Sequence, residues 1–262
     1  MLREAIRFSY SHDPGPVWED LITMAVIEAP EQPSSPPPRR RKPRRRSRLL
    51  TILGLALVLT GVGFIAYVGW ELYGTNIIAG QKQEAVKEQI AEDWANNIDS
   101  NAIGLLRVPR WGSDYEMPII PGSDLLDSKG RAALASGVGW YEKGVGPGEV
   151  GNFVIAGHRS GRGAVFKRLP ELRAGDEVEI ETRTHLYTYK LRMNGDEIKV
   201  DYSTGWPLFP VPDPNARGQV PTEPLMTMIT CAEMFHTDNR RVVIGELVDV
   251  VEKPAAQAAP AP

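Results

Sequence analysis

Leu225-Met226-Thr227-Met228-Ile229-Thr230-Cys231 decides the fold: seven residues that end in the only cysteine of a 262-residue chain. A short apolar run of this length, bounded by turn residues, reads as a buried strand. A strand end is where a rigid scaffold presents a nucleophile at its surface. A thiol nucleophile needs a base and a donor for the oxyanion, so a histidine and a cation should stand nearby. Upstream, Gly151-Asn152-Phe153-Val154-Ile155-Ala156-Gly157 is a second such run and leads into His158-Arg159. Downstream, Arg240-Arg241 opens a third, Val242-Val243-Ile244. Three strands thus each deliver one catalytic-type side chain, in the order His, Cys, Arg.

The flanking sequence has the same texture. From Ile103 onward, short apolar runs are punctuated by Gly, Pro and Asp, the pattern of an all-β barrel or sandwich. Strands are expected at 104–108, 117–120 and 151–157, and a closing strand at 240–251. Residues 176–182 alternate, with Val178 and Ile180 on one face and Glu177, Glu179 and Glu181 on the other, and 186–193 answers them as a hairpin. Short helical pieces are expected at 124–136 and 163–172. Gly144-Val145-Gly146-Pro147-Gly148 is turn chemistry, because no Lys-Ser/Thr follows to make a phosphate loop. The long Pro- and Gly-rich segment 201–224 has the length of a functional loop.

The N-terminal third is different. The net charge of −3 conceals residues 39–48, which hold eight basic groups and no acidic one. Residues 1–38 end in Pro/Ser-rich sequence that cannot bury enough apolar surface to order itself, although 18–27 has the makings of a short helix. Leu49 to Trp70 carries no charge and has the ~20-residue length of a bilayer-spanning helix. Its position some forty residues in argues against a cleaved signal peptide. The arginines on its N-terminal side put residues 1–48 in the cytoplasm and the remainder outside, and they suit anionic lipid better than nucleic acid. Residues 74–102 then read as a charged helical stalk or linker, 103–251 as the catalytic domain and 252–262 as a disordered tail.

Each candidate residue has a plainer reading. Cys231 alone is a buried small hydrophobe; between His158 and Arg240 at matching strand ends it is a nucleophile. His236 follows Cys231 by five residues, but no further ligands complete a zinc site, so no metal or cofactor is expected. Arg159 is either solvated or lines the groove. Side chains alternate along a strand, so Arg240 and Arg241 point to opposite faces. Val242 and Ile244 share Arg240's face and are bulkier than Val243 and Gly245, so Arg240 is expected inward with the cysteine and Arg241 on the solvated outer face.

Ala156-Gly157-His158, Thr230-Cys231 and an arginine nine residues beyond resemble the sortase transpeptidases. The resemblance covers roughly residues 103–251 and implies an eight-stranded β-barrel with short helices, preceded by one transmembrane helix. It implies catalytic roles for His158, Cys231 and Arg240, with Thr230, Ala232, Trp140, Tyr141, Arg159 and Phe209 contacting substrate. It further implies cleavage of a Leu-Ala/Pro-X-Thr-Gly sorting signal through a thioester and transfer to a peptidoglycan-precursor amine by a monomer. The Tyr73-Gly74-Thr75-Asn76 juncture and the run into His158-Arg159 are similar to class E, a housekeeping group. Gly139-Trp140-Tyr141 departs from the relatives' usual Gly-His-Tyr. A pilin-linking sortase is the near alternative, although no Asp-Pro-aromatic lid is present. L,D-transpeptidases place Ser-His-Gly before their cysteine, where Met228-Ile229-Thr230 stands here. The alternative from another class is a membrane-anchored binding module with an incidental thiol. Protease added to spheroplasts should degrade the C-terminal domain and spare an N-terminal tag; the opposite pattern would reverse the topology.

Overall fold

A computed structural model describes residues 45–122, 133–234 and 238–254. The expected short helix at 18–27, most of that at 124–136, His236 and the end of the C-terminal tail lie outside these residues. Chain contacts separate Met1–Thr51 from a second compact unit, Ile52–Pro262.

Helix α1 (Arg45–Gly69) passes through a π-helical turn (Trp70–Gly74) into α2 (Thr75–Ala95). The apolar part of this run is long enough to cross a membrane, and none of it is buried within the protein. At 1.5 Å per residue, Leu49 to Trp70 spans about 33 Å. Beyond Gly74 the character changes. Ala79, Gln83 and Ile90 are buried, and Ile90 packs with Ala102, Leu105, Val86 and Trp94. α2 therefore lies against the barrel instead of standing off as a spacer. The helix stops at Asn97 (φ 59°), whose amide and that of Ile98 bond back to Trp94 and Asp93. An asparagine tolerates this left-handed closure.

Among the described residues nine strands follow: β1 (Gly104–Arg107), β2 (Glu116–Pro121), β3 (Val138–Trp140), β4 (Gly151–Ala156), β5 (Glu177–Glu181), β6 (His185–Leu191), β7 (Ile198–Asp201), β8 (Pro224–Cys231) and β9 (Asn239–Glu252). Eight close a barrel in the order β6-β5-β1-β2-β3-β4-β8-β9, with β9 pairing back onto β6, and β7 adds to the first half of β9. This is the expected all-β, eight-stranded architecture. β3 and β7 escaped the sequence because three or four residues carry too little periodicity to register.

Two pairings are parallel, β2 with β3 and β4 with β8. The second brings the C-terminal ends of β4 and β8 to the same rim, where antiparallel β9 begins. Phe153 pairs with Met226 and Ile155 with Met228, all four facing the barrel core. Residues of the other face meet the long 202–223 segment. Asn152, 2% exposed, donates Nδ2 to the carbonyls of Pro207 and Phe209, both at 2.9 Å, and accepts from Thr227 Oγ1 at 2.7 Å. One buried amide thus ties that segment to the strand pair. Asn152→Ala leaves several buried polar groups unpaired and should lower stability by about 2–3 kcal/mol, read by pulse proteolysis, with the first new cleavage between residues 202 and 223.

Candidate active site

His158 follows β4 by two residues, and Cys231 ends β8. Ala156 pairs with Ile229 in the parallel register, so continuing it two steps brings 158 level with 231. Thr230 Oγ1 donates to the Gly157 carbonyl at 2.8 Å, and Gly157 N–H donates to Ile229 O at 3.1 Å, so the two strand ends are bound together here. Gly157 has no substitute in this packing. A Cβ there would come within 2.5 Å of Val165 and 2.9 Å of Phe166.

Across the other ladder, Cys231 pairs directly with Arg240, and Thr230 with Arg241. Directly opposed residues share a face. Met226, Met228 and Val243 belong to the barrel core, which makes Ile229, Cys231, Arg240 and Val242 the outer wall. The expectation that Arg240 faces inward is corrected: it shares a face with Cys231, and that face is the outer one. Apolar bulk misled because both faces of β9 are covered, Val242 and Val243 each being 0% exposed. Arg241, expected on a solvated outer face, lies on the core-side face at the rim and donates Nη1 to Asp196 O at 2.9 Å.

His158, Arg159, Ser160, Gly161, Arg162, Cys231 and Met234 line one cleft of about 380 Å³, together with Glu71 and Leu72. Cys231 is a free thiol and half-buried. Burial, and secondarily the charge of Arg162, push the His158 pKa down to about 4. Burial and the charge of Arg241 lower that of Arg159, opposed by Glu233 and by Cys231 itself. Arg240 donates Nη1 to Asn239 O at 3.0 Å and adds to the lowering of the Asp201 carboxyl, which is held down first by its Ser203 hydrogen bonds. Among the described residues no group of three or more His, Cys, Asp or Glu could hold a metal.

The expected substrate contacts divide. Arg159 lines the cleft. Thr230 and Ala232 are each 2% exposed, Thr230 being used to join β8 to β4, so neither side chain is open to a ligand. Trp140 packs on the barrel core and donates Nε1 to Val145 O at 3.0 Å, so its ring is not a free groove wall. Tyr141 and Phe209 are half-buried and outside the cleft around Cys231. Sequence reasoning missed Glu71 and Leu72. No periodicity announces them; the one local signal is Tyr73-Gly74-Thr75-Asn76 just beyond them.

A thiol on the outer wall of a barrel, with an imidazole level with it and a guanidinium paired opposite, is an arrangement that can carry cysteine-nucleophile chemistry. The sortase domain family matches residues 106–248, more than half of the chain, and the chain belongs to this family of cysteine transpeptidases. Sortase SrtE2 of Streptomyces coelicolor is 28% identical over 226 residues, 77% of this chain and 83% of the relative. Sortase SrtE1 of the same organism is 27% identical over 220 residues, 79% of this chain and 59% of the relative. The solved sortase E of Streptomyces avermitilis is 27% identical, with a TM-score of 0.49, over 60% of this chain and 96% of that one. The chain is class-E-like within the family.

The neutral imidazole has a measurable consequence. An unfolded chain protonates an ordinary histidine below about pH 6.5, whereas folded His158 takes up its proton only near pH 4. The unfolded state binds the extra proton between these values, so stability is full above the upper one and is lost as pH falls toward the lower. The melting temperature should therefore fall less between pH 6.5 and pH 4 in His158→Gln than in the unaltered protein.

Proposed function

We propose that this protein is a membrane-anchored, type II transpeptidase with its barrel outside the cytoplasmic membrane. It cleaves a C-terminal Leu-Ala/Pro-X-Thr-Gly signal between Thr and Gly and joins the cut protein to a peptidoglycan-precursor amine. The observation that carries this is the strand register, which aligns His158 with Cys231 across β4–β8 and pairs Cys231 with Arg240 across β8–β9. The class-E likeness supports the signal and acceptor.

The steps follow from the groups present. With His158 neutral at pH 7, it accepts the Cys231 proton as Sγ attacks the threonine carbonyl carbon. The carbonyl π electrons move onto oxygen, and the Arg240 guanidinium, always charged, donates to that oxyanion. Collapse of the tetrahedral species breaks the C–N bond, and His158 returns its proton to the departing glycine amine. The acceptor amine then attacks the thioester and gives a proton to His158, which passes it to Sγ as the C–S bond breaks and Cys231 is released as thiol.

The test is mass spectrometry of the full-length protein in detergent with Leu-Ala-X-Thr-Gly or Leu-Pro-X-Thr-Gly peptides and triglycine, seeking a thioester on Cys231. Cys231→Ala and His158→Ala should abolish cleavage and transfer. Arg240→Ala should lower transfer by roughly 10²-fold or more, the scale of a lost oxyanion donor. Arg241→Ala should cost less than about tenfold in rate and act mainly on the melting temperature. An inactive Arg241→Ala beside an active Arg240→Ala would overturn the assignment.

A further inference from the structure

Resting on the reading of Cys231 and His158 as the reacting pair, we propose that Thr75 and Asn76, at the head of α2, are positioning residues of the active site. They hold the turn that follows His158 from the helix that leaves the membrane span. The turn needs holding. Gly161, Arg162, Gly163 and Ala164 are four consecutive residues with positive φ (61°, 47°, 89° and 43°). Two of them carry side chains that disfavour this region, so the conformation persists only where neighbours over-determine it.

The neighbours are these two side chains. Arg162 N–H donates to Thr75 Oγ1 at 3.1 Å, and Gly163 N–H donates to Asn76 Oδ1 at 2.8 Å. The same side chains face the helix with their donors: Thr75 Oγ1 donates to Glu71 O at 2.6 Å and Asn76 Nδ2 to Leu72 O at 2.8 Å. Here the helix runs as a π turn, with Thr75 N–H bonding to Trp70 O. The wide turn carries Glu71 and Leu72 to the wall of the cleft that holds His158 and Cys231. Gly74 makes the turn possible, since a Cβ there would lie 2.5 Å from the Trp70 ring. A Cβ on Gly161 would lie 3.3 Å from Glu71 O, a tight contact, and one on Gly163 would collide with Gln83. Residues 71–83 and the turn after the histidine are therefore one packed unit. Thr and Asn in a helix interior ordinarily compete with helical bonding; here each joins a helix carbonyl to a loop amide.

The test compares full-length variants in detergent, with a Leu-Ala-X-Thr-Gly peptide and triglycine. Thr75→Val with Asn76→Ala should lower kcat by about tenfold to a hundredfold, the effect of a displaced catalytic group. KM for the peptide should move by less than about twofold. Asn76→Asp keeps an acceptor for Gly163 N–H and should restore most of the rate lost in Asn76→Ala. Ile90→Ala loosens the same helix far from the turn, so it should lower the melting temperature while leaving kcat near that of the unaltered protein. The proposal is overturned if the double variant keeps its kcat, if Asn76→Asp is as impaired as Asn76→Ala, or if Ile90→Ala loses as much kcat. An unaltered protein that forms no thioester on Cys231 would instead remove the transpeptidase reading, and this proposal with it.

Discussion

The parallel pairing of β4 with β8 is the constraint on which the rest depends. Parallel neighbours need a long crossover, and here everything from residue 157 to 223, including the β5–β6 hairpin and β7, is spent on it. The return brings two C-terminal strand ends to one rim, and the reversal into β9 adds an N-terminal strand start there. Residues far apart in sequence then become neighbours without any long loop having to position them. The register is fixed by packing, because a one-residue slip would turn Phe153, Ile155, Met226 and Met228 out of the core. The same slip would turn Cys231 into it.

Much of this was legible. Strand ends, the hairpin and the His–Cys–Arg order follow from runs of apolar residues closed by turns. What failed was the direction of a face. The inference that the bulkier set of β9 lines the interior assumes that one face is covered and the other wet. Val243 is buried in the core, yet Val242 and Thr227 on the outer side are fully buried too, Thr227 bonding to the Asn152 amide that ties residues 207–209 to this face. A strand buried on both faces reads as a continuous apolar run, and alternation then carries no sign. The helical segment 78–97 failed differently. Its far end docks through Val86, Ile90 and Trp94, but its near end makes contact through Thr75, Asn76, Ala79 and a buried Gln83, which hydrophobic periodicity does not weigh.

The electrostatics of the rim explain why so many cations gather around a neutral histidine. Arg159 and Arg162 line the cleft, Arg241 stands close enough to lower Arg159, and Arg240 is paired with the cysteine. Burial is the first cause of the lowered values of His158 and Arg159, and the like charges of Arg162 and Arg241 add to it. The arrangement is favourable only if negative charge arrives. In the proposed reaction negative charge develops when sulfur attacks and the carbonyl oxygen becomes an anion. Donors already fixed in that field need no reorganisation at the moment the oxyanion forms. A His158 already charged at neutral pH could not take the thiol proton. In the proposed reaction, burial and Arg162 keep His158 uncharged and so free to take the thiol proton, and they make the resulting imidazolium a stronger acid toward the leaving amine.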